Sequence, residues 1–218
     1  GVYNTLVPEQ VHYIANHCDA RVAVVEDASF LAKFQAVRAE LPKLERIVMI
    51  EGTSDDPSVI PLAELLAIGR AAHARDPHAF DGLWQAVLPD DVITLIYTSG
   101  TTGPPKGVID THRLTLWVIE ALRRVVSTGP EDRIMSYLPL AHAADRFLNY
   151  YSAVVAGHTT VFCSEVSQIL PTLLEVRPTA FGGVPRIWEK LHAGITSAIA
   201  KDPDEHKQRM VLGALEVA

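Results

Sequence analysis

Cysteine is almost absent, with only Cys18 and Cys163 in 218 residues. So sparse and widely separated a pair excludes a disulfide framework and a clustered metal-ligand motif, and it fits a reducing, cytoplasmic compartment. Long apolar runs are missing too. No stretch approaches the ~18 residues that would cross a bilayer, and the opening Gly1-Val2-Tyr3-Asn4 lacks the basic and then apolar segments of a signal peptide. Peripheral association with a membrane stays open. Positive charge is in deficit, with 19 Lys+Arg against 26 Asp+Glu and a formal net charge of −7, which speaks against a nucleic-acid-binding surface. Neither Gly-x-Gly-x-x-Gly nor Gly-x-x-x-x-Gly-Lys-Ser/Thr occurs, so the dinucleotide fingerprint and the Walker loop are both excluded.

What is present is a foldable chain. Hydrophobic residues make up 48% and charged residues 21%, near the average of globular domains. Short β-branched runs alternate with helical periodicity, which predicts an α/β fold of mainly parallel sheets with flanking helices. A helix is expected from Pro8, with Val11, Ile14 and Ala15 on its apolar face. A buried strand at 22–25, a helix over about 30–40 carrying Leu31, Phe34, Val37 and Leu41, and a strand at 47–50 imply a right-handed crossover. Residues 51–90 read as helical turns and polar loops, with one helix over about 62–73. Strands follow at 92–97, 134–138, 159–162 and 179–181, and helices over about 114–126, 141–155, 167–176 and 185–200. The chain opens on Gly rather than Met and stops inside an amphipathic stretch at 213–218 without a stop signal, so it reads as a piece of a longer protein.

Three segments carry chemistry. Tyr97-Thr98-Ser99-Gly100-Thr101-Thr102-Gly103-Pro104-Pro105-Lys106-Gly107 follows directly on a strand. Thr98, Ser99, Thr101 and Thr102 bring hydroxyls, Gly100 and Gly103 admit unusual φ angles, and Lys106 closes the loop. Backbone N–H groups and hydroxyls of such a loop can converge on phosphate oxygens, with the ammonium as a compact charge for the terminal phosphates. A solvated turn is the plainer alternative for a generic Ser/Gly/Thr loop. The second segment, Tyr137-Leu138-Pro139-Leu140-Ala141-His142, ends a strand and enters a helix bearing Asp145 and Arg146; a His there is ordinarily a cap. In the third, Gly182-Gly183 precedes Val184-Pro185-Arg186-Ile187-Trp188-Glu189-Lys190. The glycines let backbone approach a ligand closely, and a helix start packed on a core is the alternative.

Residues 97–108 resemble the phosphate-binding signature of the AMP-forming adenylating enzymes, the superfamily of acyl-CoA synthetases, nonribosomal peptide adenylation domains and firefly-type luciferases. Thr111-His112 continues the match, with Leu114 where the family often has Asn. Residues 137–146 are similar to a block of long-chain fatty acyl-CoA synthetases, with Asp145 for the usual Glu, and residues 184–190 to the block that forms their acyl tunnel and aromatic gate. The resemblance spans about residues 92–190. It implies that 1–218 is part of the large N-terminal AMP-binding domain, with the C-terminal domain absent. The implied reaction uses ATP and Mg²⁺ to turn a long-chain fatty acid into an acyl-adenylate and pyrophosphate, then passes the acyl group to coenzyme A. On this resemblance Thr98, Ser99, Gly100, Thr101, Thr102, Gly103 and Lys106 would hold the phosphates. His142 would be the catalytic candidate beside the acyl carboxylate and the pantetheine path, Arg146 and Gly183 would border the acyl site, and Trp188 would gate it. No protein metal ligand is assigned. A general-base role for His142 is not required, because a fatty acid is already ionised at pH 7. The family's adenine, ribose and C-terminal lysine blocks are missing, so the chain alone is expected to be inactive. The competing reading is a nucleotide- or phosphate-binding module without catalysis.

Overall fold

A computed structural model describes residues 1–98, 103–201 and 203–215. The chain divides into two compact units, Gly1–Val125 with Leu138–Phe147, and Val126–Tyr137 with Leu148–Ala218.

In the first unit α1 (Pro8–His17) starts with proline at a position that needs no N–H donor and buries Val11, Ile14 and Ala15. Strands β1 (Val22–Val25), β2 (Arg46–Met49) and β3 (Val59–Pro61) pair in that order, all parallel, with α2 (Ala28–Gln35) crossing between the first two. Asp27 caps α2, its Oδ1 accepting from the N–H groups of Ser29 at 2.8 Å and Phe30 at 3.2 Å, donors that a helix start leaves without intrahelical partners. The helix expected over 30–40 is shorter: α2 stops and a 3-10 turn, Arg38–Glu40, takes over. Leu31, Val37 and Leu41 still enter the core with Ala23, Val25, Leu44, Ile47, Met49 and Val59.

The strand at 22–25 is only half buried. Val22 and Val24 are 55% and 62% exposed, because β1 lies at the sheet edge with one face covered, whereas Ile47, Val48 and Met49 of central β2 are all buried. Strand β3 was not anticipated; it is three residues long and ends in proline, which weakens any strand signal. Helices α3 (Leu62–Arg75) and α4 (Ala79–Gln85) follow. Then β4 (Val92–Thr98) and β5 (Lys106–Thr111) form an antiparallel pair that leads into α5 (His112–Val125). The antiparallel partner is a second departure from the expected pattern, since its apolar run, Val108-Ile109, is too short to announce a strand.

Further along, the helix expected over 141–155 is three consecutive pieces: α6 (Ala143–Asp145), a π-helical turn at Arg146–Tyr151, and α7 (Ser152–Ala156), ended by Gly157 at φ 77°. In the second unit β6 (Arg133–Ser136) and β7 (Thr159–Phe162) are parallel. The strand expected at 179–181 is reduced to one bridge between Ala180 and Ile134. Helices α8 (Ile169–Val176), α9 (Pro185–Ala200) and α10 (Glu205–Leu215) complete it. Among the described residues no helix is long and apolar enough to cross a membrane.

His158 is a buried histidine between α7 and β7, 6% exposed. Burial pushes its pKa below the ordinary 6.5, against the opposing pull of the Asn149 backbone and the Asp132 carboxylate. The native state therefore binds this proton less readily than the unfolded chain. The resulting stabilisation is complete above pH 6.5 and declines as the pH falls through the lower native value. The denaturant midpoint is expected to fall more between about pH 7.5 and about pH 5.5 in the wild type than in His158→Phe; equal losses would exclude His158 as the source.

Candidate functional site

The β4–β5 pair ends in two rungs that set the geometry of the glycine-threonine loop: Tyr97 opposite Gly107, then Thr98 opposite Lys106. Neighbouring residues on a strand point to opposite faces, so Thr98 and Lys106 share one face and Tyr97 and Gly107 the other. On the latter face a Cβ at residue 107 would meet the Tyr97 ring at 3.3 to 3.5 Å, so glycine lets the ring lie across the backbone. Gly103 stands at φ 93°, a left-handed conformation that glycine adopts without a steric cost. Thr98 and Lys106 are exposed, and no carboxylate among the described residues forms an ion pair with Lys106. Ser99, Gly100, Thr101 and Thr102 lie outside the described residues.

Both stems of the loop touch α1. The Tyr13 hydroxyl donates to the carbonyl of Pro105 at 2.9 Å, and the Tyr97 hydroxyl lies 2.8 Å from Nδ1 of His17. Tyr13 stacks on His17 at 5.5 Å, and His17 meets Tyr97 edge-on at 5.6 Å. Burial, reinforced by Cys18 and Tyr13, pushes the Tyr97 phenol up to about 12, so it keeps its proton. Sequence reasoning missed Tyr13 and His17; their four-residue spacing on one helix face was the only available signal.

The second segment is divided between the units, Tyr137 in one and 138–146 in the other. His142 is the N-cap of α6, its Nδ1 accepting from the Ala144 N–H at 3.1 Å. That bond leaves the ring proton on Nε2. Arg146 is 7% exposed and turned onto the protein, with Nε donating to the Leu140 carbonyl and Nη1 to the Thr94 hydroxyl. Its guanidinium thus ties the helix to β4.

In the second unit the Tyr137 hydroxyl donates to the Gly182 carbonyl at 3.2 Å and accepts from the Val184 N–H at 3.3 Å. Tyr137, Phe181 and Trp188 form a series with ring centroids 5.5 Å apart at each step. The Trp188 indole N–H donates to the Gly183 carbonyl at 2.9 Å, and a Cβ on Gly183 would come within 2.7 Å of the indole. Gly183 and Trp188 are therefore one packed unit, with the ring 49% exposed. Phe181, the middle ring, was not singled out in the sequence.

Gly183→Ala is expected to drive the indole off the Gly183 carbonyl and off Phe181 at a cost of roughly 1 kcal/mol, the net worth of one hydrogen bond. Because the ring is half exposed it swings outward rather than unfolding the unit. With Trp84 and Trp117 replaced by Phe, the emission of Trp188 should shift to the red and become more accessible to acrylamide; unchanged emission would mean that the backbone yields instead.

Residues 1–217 match the family described as AMP-binding enzyme. The protein fadD11 of Mycobacterium tuberculosis is 41% identical over 162 residues, covering 74% of this chain and 28% of that protein. The long-chain-fatty-acid–CoA ligase ACSBG2 of Xenopus laevis is 34% identical over 210 residues, covering 92% of this chain and 28% of the relative. This chain thus spans 28% of the length of each of these relatives. The crystal structure of a long-chain-fatty-acid–CoA ligase, FadD1 from Archaeoglobus fulgidus, superposes with a TM-score of 0.69 at 20% identity, over 92% of this chain and 37% of that one. That likeness identifies the fold, and the match along nearly the whole sequence identifies the lineage: the chain belongs to the AMP-binding enzyme family.

Proposed function

We propose that this chain is part of the N-terminal domain of an AMP-forming long-chain fatty acid–CoA ligase and carries the phosphate-holding part of its ATP site. The fatty acid carboxylate attacks the α-phosphorus of ATP, the bond to pyrophosphate breaks, and an acyl-adenylate forms. The thiol of coenzyme A then attacks the acyl carbon, its proton leaves to solvent, and AMP departs. The observation that carries this reading is the exposed Lys106 ammonium, without an ion-pair partner among the described residues and directly opposite Thr98. The name of the Xenopus laevis relative supports the fatty acid as substrate.

Negative charge grows on the departing β,γ-phosphates, so positioned donors and a cation lower the barrier. Lys106 supplies that cation and Thr98 a hydroxyl. Mg²⁺, when bound, would travel with the triphosphate and neutralise phosphate charge. His142, with its proton on Nε2, acts as a hydrogen-bond donor that orients the carboxylate and removes no proton. Arg146 keeps the His142 segment against β4, and Trp188 covers the acyl path from its seat on Gly183.

A charge-assisted hydrogen bond contributes roughly 1.5–3 kcal/mol, so Lys106→Ala should weaken ATP use by about 10- to 100-fold. ATP–pyrophosphate exchange by a full-length protein containing this chain is the measurement, and activity of the variant within about twofold of wild type would overturn the role of Lys106. Run with carboxylic acids of increasing length, the exchange should appear with long acyl chains in the full-length protein and not with this chain alone. ATP binding without exchange in the full-length protein would leave a nucleotide-binding module in place of the ligase.

A further inference from the structure

We infer that Tyr13 and His17 of α1 are positioning residues for nucleotide binding, holding the two stems from which Thr98 and Lys106 project. The inference rests on the reading of residues 97–108 as a phosphate site, and it assigns a part of that site to a helix whose contacts with it span 80 and 92 residues of sequence.

The argument is geometric. Tyr13 and His17 are four residues apart on one helix, which puts them on one face, and their rings stack. Each reaches a different stem. His17 is bonded to Tyr97, the residue before Thr98, and Tyr13 is bonded to the carbonyl of Pro105, the residue before Lys106. Proline has no N–H, so its carbonyl is the single backbone hydrogen-bonding group at that position. The Tyr97 ring also lies against the bare backbone of Gly107, in a contact that a Cβ would crowd. The ring thus touches both His17 and the β5 backbone, and moving the last rung of the pair strains contacts on α1. Groups that meet a ligand bind it more tightly when their supports are already fixed, because less order has to be created on binding.

The useful feature of His17 is the hydrogen bond between Nδ1 and the Tyr97 hydroxyl. Asparagine at this position presents an amide that can bond the hydroxyl, whereas phenylalanine keeps the ring and removes the hydrogen bond. In the full-length protein, His17→Phe and Tyr13→Phe are each expected to raise the KM for ATP in pyrophosphate exchange by about three- to tenfold, the range set by one partly exposed hydrogen bond. The KM for the fatty acid and the melting temperature should stay unchanged, and His17→Asn should lie within about twofold of wild type. An unchanged KM for ATP in both Phe variants, beside an impaired Lys106→Ala, would overturn the inference while leaving the phosphate site standing. A His17→Asn protein as weak as His17→Phe would overturn it as well, since the hydrogen bond would then not be what matters. If Lys106→Ala also left the KM for ATP untouched, the phosphate reading itself would fall and the positioning role with it.

Discussion

The contact between the Tyr97 ring and the backbone of Gly107 governs what the β4–β5 pair can present. In an antiparallel ladder a slip of one residue turns every side chain to the opposite face. Here such a slip of β4 would carry Thr98 toward α1 and bring Tyr97 to solvent. A Cβ at residue 107 would crowd the ring by a few tenths of an ångström, and Gly107 is the one glycine of β5. Strand β4 is loaded at several further points along its length: Ile96 is buried, and Thr94 receives the guanidinium of Arg146. A stiff strand is what the proposed phosphate site requires of its stem.

His142 and Arg146 show how a structural hydrogen bond constrains a side chain's proposed chemistry. By accepting from Ala144, Nδ1 of His142 satisfies a donor at a helix start and at the same time fixes which nitrogen carries the proton. The cap selects the chemistry left available to the other nitrogen. Arg146 shows the reverse: a charge that could have met a substrate is instead directed inward, where a buried guanidinium needs hydrogen-bond acceptors and finds a carbonyl and a hydroxyl.

Much of the fold was legible because helix and strand periodicities differ, and most helices and the longer strands lie where the pattern puts them. The errors have local physical causes. Val22 and Val24 read as buried because four apolar residues in a row say nothing about whether one face or two will be covered. Strand β3 is brief and ends in Pro61, and β5 is recognised only through its partner β4. The stretch at 179–181 has the right residues for a strand and makes a single bridge. Among the candidate residues, the types and order of Thr98, Gly103, Lys106, His142 and Trp188 were readable from motif and resemblance. Tyr13 and His17 were not, since a hydrogen bond across so long a separation leaves no periodic trace in one sequence.

The close seat of the Trp188 indole on Gly183 has an evolutionary consequence. The two positions share one volume, and a side chain at 183 occupies space that the ring now fills. The two positions are coupled: growth at 183 redirects the ring at 188, and loss of the ring removes the demand for glycine. Across a lineage, the two sites should change together or remain fixed together, as one character written five residues apart.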